Sequence, residues 1–300
     1  MKKDFLTLSD LSRQEAVAIL NRSLELKNGT DASKCPLIGR SVGLLFEKSS
    51  TRTRVSFETG IYQLGGQSIV LNPQDIQLGR GETVADTART LSRYLHAIVV
   101  RTFAHERIEE FAEHATIPVV NALTDTHHPC QALADMLTIY EKKHTLDDLS
   151  VVYIGDGNNV ANSLIEAACI GGFEITIACP KGYEPSKDVL KRAKMAGRTV
   201  KIEHDPKKAA TKADVIYTDV WVSMGQEKEK KERTKVFKPY QVNSALVKKA
   251  KKDAIVMHCL PAHRGYEITD EVIDGPQSVV FDQAENRLHA QKALLEFLMS

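Results

Sequence analysis

Four hydroxyl residues and two arginines crowd into six positions, Ser49-Ser50-Thr51-Arg52-Thr53-Arg54. An apolar run, Ser41 to Phe46, precedes them and has the character of a buried strand. A helical pattern follows, with Val55, Phe57, Ile61 and Leu64 as its apolar positions and Gly65-Gly66 as its stop. At such a strand–turn–helix junction, free backbone N–H groups and the positive end of the helix dipole converge. Hydroxyls and guanidinium groups added there suit a phosphate or another small oxyanion. The stretch is not a nucleotide-binding P-loop, because Glu47 stands where that motif requires glycine. The bland alternative is an ordinary helix cap with solvated arginines, and the density of donors argues against it.

Other reactive types recur at the ends of apolar runs. They are Arg101, His128 with Gln131, Gly155 to Asn159, Asp219 to Gly225, and His258 to Arg264. In open α/β sheets, ligands bind outside the carboxyl ends of the strands, so one edge gathers these groups. Those of the first half are cationic or hydrogen-bond donors; those of the second include one carboxylate, Asp219. One half therefore suits an anion and the other an amine. Each group has a plainer reading: Arg101 could be solvated, His128 a helix cap, Cys259 a buried filler instead of a nucleophile. Gly155-Asp156-Gly157-Asn158-Asn159-Val160 fails as a dinucleotide fingerprint, because Val160 replaces the third glycine and no acidic residue follows the next strand. The turn is instead expected to reach substrate through Asn159. Histidines adjoin two cysteines, at His127-His128-Pro129-Cys130 and His258-Cys259, without the ligand spacing of a closed zinc site, so no metal is expected.

The elements that must carry these residues alternate. In the first half, strands are expected at Ser41–Phe46, 68–71, 97–100 and 118–120, with helices between them. The Thr83-to-Asp86 capping pattern starts a helix running to about Leu95, and Pro129 sits in the first turn of another. A polar Gly-rich loop, 73–81, is exposed. A boundary falls in the polar stretch 141–148, bridged by a continuous helix. The pattern restarts with strands at 151–154, 175–178, 200–203, 215–218 and 255–258. The charged run 226–238 is either a solvated face or a lid, and residues 286–298 form an amphipathic helix. Strand–helix alternation implies two doubly wound parallel-sheet α/β domains, 1–140 and 141–285, with the last helix packing back on the first and the active site in the cleft between them.

With 300 residues, 42% hydrophobic and 26% charged, the chain has the length and make-up of two soluble domains. A net charge of +1 gives no reason to expect nucleic acid or an acidic membrane. No apolar run approaches a membrane span, no leader is expected, and five cysteines, an odd number, suit a reduced cytoplasmic protein.

Taken together, Ser50-Thr51-Arg52-Thr53-Arg54, His128-Pro129-x-Gln131, Asp219-Val220-Trp221-x-Ser223-Met224-Gly225 and His258-Cys259-Leu260-Pro261 resemble the aspartate/ornithine carbamoyltransferase family along essentially the whole chain. The Ser-Met-Gly loop with His-Cys-Leu-Pro resembles its ornithine branch. The resemblance implies that the carbamoyl group of carbamoyl phosphate passes to the δ-amine of ornithine, giving citrulline, within arginine synthesis or its reverse. It implies carbamoyl phosphate on Ser50, Thr51, Arg52, Thr53, Gln77, Arg101, His128, Gln131, Cys259, Leu260 and Arg287. Ornithine would lie on Asn159, Asp219, Ser223 and Met224, with Arg101, His128 and Cys259 catalytic. It also implies a homotrimer, in which the Gln77 loop can reach a neighbour, and no cofactor. Rival readings are another acceptor amine (putrescine, acetylornithine or aspartate), a nucleotide-dependent oxidoreductase resting on the 155–159 turn, and a two-domain anion-binding protein without turnover.

Overall fold

The computed structural model describes residues 2–29, 35–72, 74, 76–223, 225 and 227–300, without the side chains of 79, 80 and 227. Pro73 and Asp75 of the polar loop, Gln226 at the head of the charged run, and Met224 therefore lie outside the described residues. The chain divides into two units, residues 1–137 with 285–300, and residues 138–284.

The first unit contains α1 (Arg13–Lys27), β1 (Ser41–Phe46), α2 (Thr51–Gln63), β2 (Gln67–Leu71), α3 (Val84–Leu91), β3 (Ala97–Arg101), α4 (His105–His114) and β4 (Val119–Leu123). A Ser12–Glu15 capping box starts α1, and Asn28 ends it. The four strands are parallel in the order β2-β1-β3-β4. The chain leaves β1 towards β2 and returns on the other side to β3, which makes the β1/β3 edge the switch point of this sheet. Register there pairs Phe46 with Arg101. One face of the sheet is covered by apolar side chains from α3 and α4, with Leu45, Ile98, Val100, Ile108 and Phe111 among the buried ones.

α5 (Pro129–Lys143) carries the chain from the first unit into the second. It stops at Lys143 instead of bridging 141–148, because His144 and Asp148 take left-handed backbone conformations that turn the chain into β5. The second unit contains β5 (Ser150–Ile154), α6 (Asn159–Gly171), β6 (Glu174–Ala178), α7 (Lys187–Met195), β7 (Lys201–Glu203), α8 (Pro206–Ala209), β8 (Val215–Thr218), α9 (Lys230–Phe237), α10 (Ser244–Val247), β9 (Ile255–His258) and α11 (Asp270–Ile273). Its parallel order is β7-β6-β5-β8-β9, so β5/β8 is the second switch point. α12 (Val280–Met299) begins in the second unit and ends in the first. Two parallel sheets flanked by helices are thus the architecture that the alternating pattern implies.

Three further local expectations differ from the structure. Val55 is exposed while Phe57, Ile61 and Leu64 are buried, so α2 shows the sheet a narrower stripe than its apolar residues suggest. α3 ends at Leu91, because Leu95 must turn inward, where its Cδ1 sits 2.6 Å from any Cβ built on Gly43. The described part of the charged run is not simply solvated: it forms a short 3-10 turn (Glu227–Glu229) and α9, with Arg233 and Phe237 buried.

Candidate active site

In the first unit, Ser50 caps α2 by accepting the Thr53 amide at 3.3 Å, which places Thr51 and Arg52 in the opening turn. Arg101 ends β3 in register with Phe46, and the Glu47 amide donates to its carbonyl at 2.8 Å. His128 precedes Pro129, and its carbonyl accepts the amides of Gln131 and Ala132 at 3.1 Å each. Thr53, Arg101, His128 and Gln131 are all buried. α12 supplies Arg287, whose Nη1 donates to Gln131 Oε1 at 2.9 Å and whose Nη2 donates to Thr53 Oγ1 at 2.7 Å. The structure thus brings Thr53, Gln131 and Arg287 into direct contact.

Electrostatics mark the same spot. Burial, reinforced by the guanidinium groups of Arg287, Arg101 and Arg52, holds the His128 imidazole well below its ordinary value. The ring is neutral near pH 7 and can donate one N–H while the arginines carry the charge. Arg54 does not join this cluster: its Nε pairs with Glu58 at 2.8 Å on the outer face of α2, so one guanidinium of the six-residue stretch is committed elsewhere. Gln77 opens a 3-10 turn, Gln77–Arg80, and is exposed. Cys130 is inert, its thiol donating to the Asn121 carbonyl at 3.3 Å and pushed up to about 12 by burial.

In the second unit, Asp219 follows β8 and is buried. Its Oδ2 accepts from Asn158 Nδ2 at 2.8 Å, and its Oδ1 from the Cys259 thiol at 3.0 Å. Asn158 Oδ1 meanwhile caps α6 through the amides of Val160 and Ala161, at 3.0 and 3.2 Å, and accepts the Tyr153 hydroxyl at 3.1 Å. Burial, then the Asp219 and Asp156 carboxylates, push the Tyr153 phenol well above its ordinary value, so it remains a donor. Both glycines of the turn have structural reasons: Gly155 has φ +148°, and a Cβ on Gly157 would meet the Pro185 nitrogen at 2.3 Å. Asn159 occupies the first turn of α6, and Ser223 is half-buried.

Among the described residues, Asp219, His258 and Cys259 bring potential metal ligands within 4.8 Å of one another. His258 has both ring nitrogens engaged, however. Nδ1 accepts the Leu260 amide at 2.9 Å, which puts the proton on Nε2, 3.3 Å from Glu267 Oε1. The trio therefore reads as a hydrogen-bond network that fixes Cys259 and the backbone at Leu260.

Sequence reasoning gathered Asp156 and Asn158 in the 155–159 turn without giving either a role, and it gave none to Arg233. Arg233 Nε donates to the Trp221 carbonyl at 2.6 Å, Nη1 reaches Glu229 at 3.3 Å, and Nη2 pairs with Asp156. Burial pushes the Asp156 carboxyl up to about 6, against the pull of Arg233. The strong preference for Asn at helix caps points to the pair Asn158-Asn159 without choosing between them; nothing in the sequence separates Arg233 from its exposed neighbours.

Residues 3–141 match the carbamoyl-P binding domain of aspartate/ornithine carbamoyltransferase, and residues 147–298 match its Asp/Orn binding domain. The chain is 57% identical over 302 residues to the ornithine carbamoyltransferase of Syntrophus aciditrophicus, covering 100% of both chains. It is 54% identical to that of Methanosarcina mazei, again covering 100% of both. The solved structure of ornithine carbamoyltransferase from Pyrococcus furiosus superposes with a TM-score of 0.93 at 53% identity, over 98% of this chain and 96% of that one. The protein from Thermus thermophilus gives 0.91 at 43% identity over 100% of both. Motifs, both sheets and full-length identity agree, and the chain belongs to the aspartate/ornithine carbamoyltransferase family.

Proposed function

We propose that this protein transfers the carbamoyl group of carbamoyl phosphate to the δ-amino group of L-ornithine, giving L-citrulline and phosphate. The reading is carried by Asp219, a buried carboxylate held by two donors, in a chain whose other unit gathers three arginines around a neutral histidine. The domain of residues 1–140, with helix 286–298, would take carbamoyl phosphate, and 141–285 would take ornithine. Phosphate oxygens would meet Ser50, Thr51, Arg52, Thr53 and Gln77. Arg101, His128, Gln131, Arg287 and the backbone of Cys259 and Leu260 would hold the carbamoyl end. Ornithine would lie on Asn159, Asp219, Ser223 and Met224, with the segment Trp221–Gly225 closing over it.

The neutral δ-amine attacks the carbamoyl carbon, and charge collects on the carbonyl oxygen. Arg101, Thr53 and an N–H of His128 stabilise that charge. The C–O bond to phosphate then breaks as the attacking nitrogen passes its proton to the departing phosphate oxygen, and Arg52 and the α2 start receive the resulting hydrogen phosphate dianion. The free amine has a reference pKa of about 10, so desolvation beside Cys259 favours its reactive form. Positioning and charge stabilisation suffice without metal or cofactor. Citrulline formation from both substrates is the test, with putrescine, acetylornithine and aspartate as competing amines; no citrulline, or preference for another amine, overturns the reading.

We further propose a cytoplasmic homotrimer in which Gln77 serves a neighbouring subunit. Inactive variants at Gln77 and at Arg101 would then regain partial activity when mixed and reassembled. Verified mixed trimers without recovery would return Gln77 to its own subunit.

A further inference from the structure

We infer that Asp135 is a positioning residue of the anion site: its carboxylate dictates which end of the Gln131 amide faces Arg287, and thereby the polarity of the Thr53 hydroxyl. The inference deepens, and rests on, the reading of this site as the carbamoyl phosphate site.

Asp135 lies one helical turn beyond Gln131 on α5 and is fully buried, at 0% exposure. Gln131 Nε2 donates to Asp135 Oδ1 at 2.8 Å. A glutamine amide is nearly symmetrical in shape and opposite in hydrogen bonding at its two ends. Asp135 Oδ1 accepts from the amide nitrogen, so the amide oxygen faces the other way, towards Arg287, whose guanidinium can only donate. That oxygen receives Arg287 Nη1 at 2.9 Å, and Nη2 of the same guanidinium donates to Thr53 Oγ1 at 2.7 Å. Thr53 Oγ1, already accepting from an arginine, keeps its single hydrogen for another partner. This is the polarity a hydroxyl needs to donate to a phosphate or carbonyl oxygen. The four residues are at most 3% exposed, so water has little access to replace a lost partner.

Reversing the amide would set its NH2 against the Arg287 donors. Arg287 would then lose its anchor, and the Thr53 hydroxyl its orientation. Asp135 therefore acts at three hydrogen bonds' remove. No substrate contact is assigned to it.

The test uses the full-length protein and two readouts: calorimetric affinity for phosphonoacetamide, a stable stand-in for carbamoyl phosphate, and steady-state KM values. Asp135→Asn is nearly isosteric but replaces one carboxylate oxygen by an NH2, so the Gln131 nitrogen meets a weaker acceptor or a competing donor; it should weaken phosphonoacetamide about tenfold or more and raise the carbamoyl phosphate KM similarly. The ornithine KM at saturating carbamoyl phosphate should stay within about twofold, a split that general loosening of the fold would not produce. In a Gln131→Leu background, adding Asp135→Leu should cost nothing further, because Asp135 then has no amide to orient. That pair also decides the matter if Asp135→Asn fails to fold, since both buried polar partners leave together. Wild-type affinity in Asp135→Asn, or a further tenfold loss in the double variant, overturns the inference. Citrulline assays of the wild type keep the two readings apart: no citrulline with weakened phosphonoacetamide sinks the reaction and leaves the positioning role standing.

Discussion

Arg52 and Arg54 stand two positions apart in one helical turn, yet only one of them belongs to the anion cluster. Arg52 adds to the positive field at His128, while Arg54 is tied to Glu58 on the surface. Replacing Arg52 by Ala should weaken carbamoyl phosphate binding by about 2 kcal/mol, the scale of a hydrogen bond to a charged group. Arg54→Ala should change it by no more than about 0.5 kcal/mol. Equal losses in calorimetry would contradict the placement. His128 carries a pH signature of known sign. Its folded-state value is lowered, so between that value and about 6.5 the unfolded chain binds a proton that the folded chain does not. The stability this group contributes is complete above about pH 6.5 and declines as pH falls below it. In His128→Gln the decline of Tm between pH 6.5 and 5 should be shallower than in the wild type, by differential scanning calorimetry.

At the scale of elements, α9 is fastened from inside by one residue. Arg233 joins the Trp221 carbonyl to Asp156, with the rings of Tyr183 and Phe237 at 5.0 and 5.4 Å from its guanidinium carbon. Arg233→Met would strand the Asp156 carboxyl, a loss of about 3 kcal/mol in urea unfolding. It should also raise the ornithine KM by freeing the segment that leads to Ser223. Adding Asp156→Asn should restore much of the stability; no recovery would mean that the arginine acts by packing alone. Such devices are illegible in sequence, because a buried arginine in a run of lysines and glutamates has the same letters as a solvated one. β1, β3, β5, β8 and β9 were legible for the opposite reason: buried on both faces, they read as short apolar runs. α12 falls between, since its buried positions include Gln283, Asn286, Arg287, His289 and Gln291, and polar letters hid its start at Val280. At the site, the residue types ending β1, β3, β4, β8 and β9 were readable. Whether Asn158 or Asn159 caps α6 was not, because only the turn's backbone decides between adjacent identical residues.

For the molecule as a whole, the first unit is discontinuous, built from residues 1–137 and 285–300. Residues 285–300 bring buried Ala290, Ala293, Leu294 and Leu295 besides the Arg287 donors. Burying the two leucines alone contributes roughly 3–6 kcal/mol, comparable to the stability of many domains. Deleting 285–300 should therefore unfold the first unit, read as lost helicity by circular dichroism. Arg287→Ala should leave it folded and weaken carbamoyl phosphate binding about tenfold or more. A folded deletion variant would remove α12 from that unit's core. The order of synthesis gives this arrangement a temporal side. The 1–137 segment leaves the ribosome first, and the whole of 138–284 must be translated before its completing helix emerges. At ribosomal speeds that interval lasts roughly 7–30 s, long on the timescale of domain folding. During that time the nascent chain holds β1 to β4 with no Arg287 to meet Gln131 and Thr53, so the anion site is among the last features of the molecule to form, although its first residues are among the earliest made.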